Sequence, residues 1–219
     1  MTPAEAAEWA AIAYLEPDIG RAEAQARGYG YILFSKGAHQ CVVASRQDET
    51  VIAFRGTEFS LFNWRDVVTS LKARLIPNPA GAGRVHNGYS KGVWALIPLI
   101  KPLMRGQIYL TGHSMGGAMA ILAGGWLKVD AVFSFNAPKS SDQKFALAYP
   151  VPLFRFESRH DWVPWFPSAL ADWVHVGGRI LLDSQGHSLE AVRKVLCAPK
   201  TLCPEGRLAG EITTLLPRG

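Results

Sequence analysis

Residues 107–127 run from a short apolar strand pattern, Gln107-Ile108-Tyr109-Leu110-Thr111, through Gly112-His113-Ser114-Met115-Gly116-Gly117, straight into the helix pattern Ala118-Met119-Ala120-Ile121-Leu122-Ala123. No linker separates the two elements, so the strand and the helix must fold back on each other across a turn that only small residues can make. A chain built around such a unit needs a sheet whose strands are separated by helices. The rest of the sequence supplies one. Helix patterns at 87–104, 115–127 and 140–148 alternate with apolar runs at 107–111, 131–135, 151–156 and 173–182. Continuous apolar runs are the mark of strands buried on both faces, which predicts an α/β fold with a mostly parallel central sheet and helices on both faces. Upstream, 3–15 reads as a helix with Thr2 as N-cap and Pro3 as its first residue. Runs at 29–34, 39–44 and 50–54, separated by turns at Lys36-Gly37 and 46–49, predict an antiparallel N-terminal edge. The stretch 76–83, with Pro77, Pro79, Gly81 and Gly83, reads as a mobile surface loop.

With 48% hydrophobic and 19% charged residues, the 219-residue chain has globular composition and is expected to fold as one domain over 1–219. No stretch reaches the roughly 20 apolar residues of a membrane span. The net charge is +5, but Lys and Arg are scattered without a run of five, which argues against nucleic acid and is compatible with transient contact with a lipid surface. The N-terminus carries Glu5 and Glu8 and no basic residue, so a cytoplasmic protein is expected, with secretion by a non-classical or lysis-dependent route as the alternative. Cys41, Cys197 and Cys203 are too few for a disulfide framework and read as free thiols, although Cys197 and Cys203 are close enough in sequence to pair. Neither an H-E-x-x-H motif nor a His/Cys cluster is present, so neither metal nor other cofactor is expected.

Gly112-His113-Ser114-Met115-Gly116 has the G-x-S-x-G pattern in the strand-to-helix context that makes it a nucleophile elbow, with Ser114 as the nucleophile. The helix N-terminus beside it favours developing negative charge, and the Met115 backbone N–H is the expected oxyanion donor. A serine needs a histidine to take its proton and a carboxylate to orient that histidine, in the chain order serine, acid, base. Asp161 follows the apolar run 151–156 at the edge where a site must form, and Asp183 is the alternative. His187 lies in the polar turn 183–188 beyond the last run, whereas His175 lies inside an extended segment, so His187 is the expected base. His113 reads as filler in the elbow, His86 as structural at a helix entrance, and His39 and His160 as surface residues. Trp162 and Trp165 flank Pro164 beside Asp161 and are expected to wall an acyl pocket.

Taken together, Val51-Ile52-Ala53-Phe54-Arg55-Gly56-Thr57, Asn63-Trp64-Arg65-Asp66, Val85-His86-Asn87-Gly88-Tyr89, the elbow and His160-Asp161-Trp162-Val163-Pro164 resemble the class 3, or fungal-type, lipase family of the α/β-hydrolase fold. The resemblance spans roughly residues 50 to 190 in the family's order. It implies a serine carboxylic ester hydrolase acting on acylglycerol-type lipid esters. It points again to Asp161 as the acid, places the second oxyanion donor at Thr57, and places a lid at 58–70 whose Phe62 and Trp64 would meet substrate. An amphipathic helix facing the core is the other reading of that segment. A phospholipase, thioesterase or amidase with the same triad, or an inactive binding module, are the alternative functions. The segment after His187 matches no part of the family pattern.

Overall fold

The computed structural model describes residues 1–56, 74–167 and 172–198. Its centre is a seven-stranded sheet in the order β1-β2-β3-β6-β7-β8-β9. The strands are β1 (Gly30–Lys36), β2 (His39–Arg46), β3 (Glu49–Phe54), β6 (Gln107–His113), β7 (Ala131–Phe135), β8 (Leu153–Arg159) and β9 (Arg179–Gln185). β1, β2 and β3 form an antiparallel meander, and from β3 onward every pairing is parallel. Both halves of the expected sheet are therefore present.

β3 marks the junction, and its sequence explains why. All six of its residues are buried. Ile52 and Phe54 point into a core shared with α3 (Asn87–Ile100) and α4 (Met115–Gly124), while Val51 and Ala53 face α1 (Pro3–Ile12) on the other side. Tyr109, Phe133, Phe135 and Phe156 extend that second core under α1 and α6 (Leu189–Cys197). The strands read as unbroken apolar runs because helices cover both faces. α1 begins with the predicted cap: the Glu5 N–H donates to Thr2 Oγ1, and Glu5 closes a capping box.

Several elements depart from the sequence reading. The helix expected at 3–15 stops at Ile12, and a second helix, α2 (Pro17–Ala26), follows. α2 buries only Gly20 and Ala24, so it carries almost no apolar signal. The loop expected at 76–83 is instead the turn of a hairpin between β4 (Leu75–Pro77) and β5 (Arg84–His86). Asn78 ties that turn down, accepting from Trp126 Nε1 at 2.8 Å and from the Ala80 N–H at 3.2 Å. The helix at 140–148 shrinks to α5 (Gln143–Leu147), because Asp142 caps it by accepting from the Phe145 N–H at 3.0 Å.

The strand expected at 173–182 lies at Arg179–Gln185. Gly177, at φ 68°, turns the chain first, and the polar residues Asp183 and Gln185 continue the strand because it is an edge whose outer positions face water. α6 was not expected at all. Ser188 caps it, and Arg193 anchors it to α1 through two bonds of 2.7 Å to Glu8.

Candidate active site

β6 ends and α4 begins at Ser114, whose φ of 57° and ψ of −128° are unusual for a residue with a side chain. Such a conformation costs on the order of 1–3 kcal/mol and persists only where the surroundings impose it. Here they do. A Cβ on Gly116 would lie 2.1 Å from the Phe54 carbonyl oxygen, and one on Gly112 would lie 2.4 Å from Gly116. The first turn of α4 thus sits directly on the backbone at the ends of β3 and β6. Ser114 is buried, its N–H donates to Phe135 O at 2.9 Å, and Met115 opens α4 at the positive end of the helix.

A row of buried polar groups then fixes the carboxyl ends of the next strands. The Asn136 N–H donates to Phe156 O at 2.8 Å, Asn136 Nδ2 donates to Ser158 Oγ at 3.0 Å, and Asn136 Oδ1 accepts from the Ser158 N–H at 2.8 Å. Ser184 Oγ donates to Ser158 Oγ at 2.8 Å, and the Gly186 N–H donates to Arg159 O at 2.8 Å. These bonds set the turns carrying Asp161, just past β8, and His187, just past β9, beside each other. Asn136, Ser158 and Ser184 were missed at the sequence level; their only signal is polarity at the ends of otherwise apolar strands.

Asp161 and His187 meet: His187 Nδ1 lies 2.8 Å from Asp161 Oδ2. The other carboxylate oxygen accepts from the Val163 N–H at 3.0 Å, and the Asp161 side chain is wholly shielded from solvent. The carboxylate can only accept, so His187 Nδ1 bears the proton and the ring lone pair lies on Nε2.

His113 is more than filler. Its Nε2 lies 2.8 Å from the His187 carbonyl oxygen, and its ring packs 4.6 Å from the His187 ring. Burial, and secondarily the neighbouring His187, push its pKa down to about 3, so it is neutral under ordinary conditions. A carbonyl only accepts, which places the His113 proton on Nε2 and leaves Nδ1 as an acceptor. The Tyr14 hydroxyl lies 3.2 Å from that Nδ1, within 3.4 Å of the His113 carbonyl, and accepts from the Gly56 backbone N–H. One directed chain, Gly56 to Tyr14 to His113 to His187, links the loop after β3, the elbow and the turn after β9.

The alternatives fall elsewhere. His175 is half-buried with Nε2 2.7 Å from Pro164 O, and burial, then Arg155, lower its pKa to about 3. Asp183 has a side chain 83% exposed and pairs with Arg159. His86 caps α3, accepting from the Gly88 and Tyr89 N–H groups. His160 is exposed, whereas His39, expected at the surface, is half-buried beneath Gly92 of α3, where the absence of a side chain makes room for its ring. Trp162 packs edge-on against Phe166, and Trp165 is 66% exposed, lining a cleft with Arg155 and His175. Thr57, Phe62 and Trp64, the expected lid at 58–70 and Cys203 lie outside the described residues.

The profile of the family described as Lipase (class 3) matches residues 51–171, more than half of the chain. The chain belongs to the class 3 lipase family. Among curated relatives of this class 3 lipase domain, Toxin TseL of Vibrio cholerae serotype O1 is 29% identical over 142 residues, covering 59% of this chain and 22% of that protein. A lipase of Rhizopus niveus is 25% identical over 158 residues, covering 62% of this chain and 39% of that one. The chain therefore spans well under half the length of these relatives. Solved lipase structures share its α/β-hydrolase fold. The lipase of Rhizopus microsporus var. chinensis superposes with a TM-score of 0.68 at 19% identity, over 84% of this chain and 77% of that one. Lip2 of Yarrowia lipolytica superposes with a TM-score of 0.66 at 22% identity, over 83% and 78%.

Proposed function

We propose that this class 3 lipase-family chain hydrolyses carboxylic acyl esters of acylglycerol type, with Ser114 as nucleophile, His187 as base and Asp161 as its orienting acid. The observation that carries the reading is the 2.8 Å contact between His187 Nδ1 and a fully shielded Asp161 carboxylate, at the same carboxyl end of the parallel strands as the Ser114 elbow. Ser114 Oγ attacks the ester carbonyl while His187 Nε2 takes its proton. The same proton passes to the departing alkoxide as the tetrahedral intermediate collapses to an acyl-enzyme. Water, deprotonated by His187, attacks the acyl-enzyme, and His187 returns that proton to Ser114 Oγ as the bond to the acyl carbon breaks and the carboxylic acid leaves. The oxyanion is stabilised by the Met115 N–H at the positive end of α4, and the family resemblance supplies Thr57 as the second donor.

The lipase names of the relatives support a lipid ester as substrate. The reading is tested by a hydrolysis profile over p-nitrophenyl esters from short to long acyl chains, with a triacylglycerol and a phospholipid included. Turnover of acyl esters by the native chain, with acylglycerols ahead of phospholipid, is the expected result. Preference for phospholipid would reassign the substrate, and absence of turnover on every ester would overturn the reading.

A further inference from the structure

β8 puts Arg155 and Glu157 two residues apart on one face, and both are buried, at 5% and 6% exposure. Around them Lys139, Pro164, Trp165, His175 and Arg179 complete a cleft of about 280 Å3. Its charges do not balance. Among the described residues Glu157 is the one carboxylate in the lining; it pairs with Arg155 Nη1 and stands 3.8 Å from Arg179 Nη1. Lys139 Nζ is met, among the same described residues, by uncharged groups, donating to Trp165 O at 3.2 Å and Pro167 O at 3.3 Å. His175 adds no charge at neutral pH, because burial, and then Arg155, hold its pKa at about 3. Three cations thus share one carboxylate, and the buried Arg155 Nε has no acceptor among the described residues. Buried donors and buried charges are ordinarily matched. At the rim, Trp165 exposes two thirds of its surface, an apolar face beside a cationic floor.

We propose that this cleft binds an oxyanion head group, a carboxylate or a phosphate, whose apolar portion lies along the Trp165 indole. Lys139 and Arg179 supply the charge at the mouth and Arg155 the charge at the base, while the Glu157 pairing keeps Arg155 in place. Burial, and then Arg179, lower the Arg155 pKa only to about 10, so the guanidinium stays charged at neutral pH. The site is separate from Ser114 but not isolated from it. Trp165 and Pro164 belong to the short 3-10 turn Val163–Trp165, and the Val163 N–H holds the Asp161 carboxylate.

Two soluble anions distinguish the sources of the head group: laurate, carrying an acyl carboxylate, and inorganic phosphate. Each is titrated calorimetrically into the full chain, into Ser114→Ala, into Arg179→Glu and into the Lys139→Gln/Arg179→Gln double variant. The expected result is one saturable site for at least one anion, kept in Ser114→Ala and weakened at least tenfold in both cleft variants. The anion bound more tightly identifies the head group. Arg179 is half-exposed, so Arg179→Glu guards against loss of fold in the double variant. Failure of both anions to bind would overturn the proposal. So would equal binding by native chain and cleft variants, which would place the anion elsewhere, such as against Ser114. Because binding is read in Ser114→Ala and hydrolysis is read separately, neither failure is mistaken for failure of the esterase reading.

Discussion

His113 Nε2 lies 2.8 Å from the carbonyl oxygen of His187, so the residue before the nucleophile holds the backbone of the residue proposed to activate it. His113→Leu removes that donor and leaves the carbonyl unmatched. We expect kcat to fall about tenfold to a hundredfold with KM little changed, the scale at which small misplacements of reacting groups act. A glutamine at this position carries an amide donor at nearly the same reach, and His113→Gln should recover most of the loss. Steady-state kinetics on a soluble ester reads this, and equal rates for native chain and His113→Leu would remove His113 from the positioning chain.

Asp161→Asn keeps volume and hydrogen bonding but no longer demands a proton on His187 Nδ1. We expect kcat to drop on the order of a thousandfold to ten-thousandfold, as in other serine-histidine-carboxylate sites, with little change in melting temperature. Asp183→Asn should leave kcat within about twofold, because its partner Arg159 is half-exposed and surface pairs contribute little. A reversed pattern would make Asp183 the acid.

Gly116→Ala would bring a methyl group against the Phe54 carbonyl oxygen, a backbone atom that cannot move without shifting β3. A loss of about 3 kcal/mol or more is expected by urea denaturation. Gly178→Ala, whose added Cβ meets nothing within 4 Å, should change stability by less than about 0.5 kcal/mol. Equal effects at both positions would contradict the packing of the elbow on β3.

Acid should destabilise the fold through histidines whose pKa values folding lowers. Burial lowers His86 to about 4, and His113 and His175 to about 3. Unfolded, each binds a proton below about pH 6.5. Between those limits the unfolded chain holds more protons, so stability is full above about pH 6.5 and falls as pH drops toward the folded values. At pH 5 each group costs about 2 kcal/mol. His86→Asn retains a side-chain oxygen to cap α3 but cannot titrate. It should flatten the pH dependence of unfolding free energy by about one proton between pH 6 and 5, and an unchanged slope would refute the assignment.

The architecture was legible wherever burial wrote an unbroken signal. β7, buried at all five positions, sits where the run 131–135 predicts it, and β6 leads into α4 as the glycine-rich turn requires. α2 and α6 were illegible because they bury few residues, and β9 was misplaced because an edge strand tolerates Asp183 and Gln185 on its outer face. At the site, Asp161 and His187 could be ranked from chain order and loop position. The roles of Tyr14 and His113 could not: Tyr14 reaches the elbow across 99 positions of sequence, and nothing local to Gly112-His113-Ser114 announces the bond to His187.

The central claim is that Ser114 is the nucleophile, and peptide mass mapping after reaction with a fluorophosphonate ester tests it most directly. The prediction is one phosphonyl group per chain, located on Ser114, with ester hydrolysis lost in proportion to labelling and absent from a folded Ser114→Ala variant. A label on another residue, or Ser114→Ala turning over more than a few per cent as fast as the native chain, would contradict it.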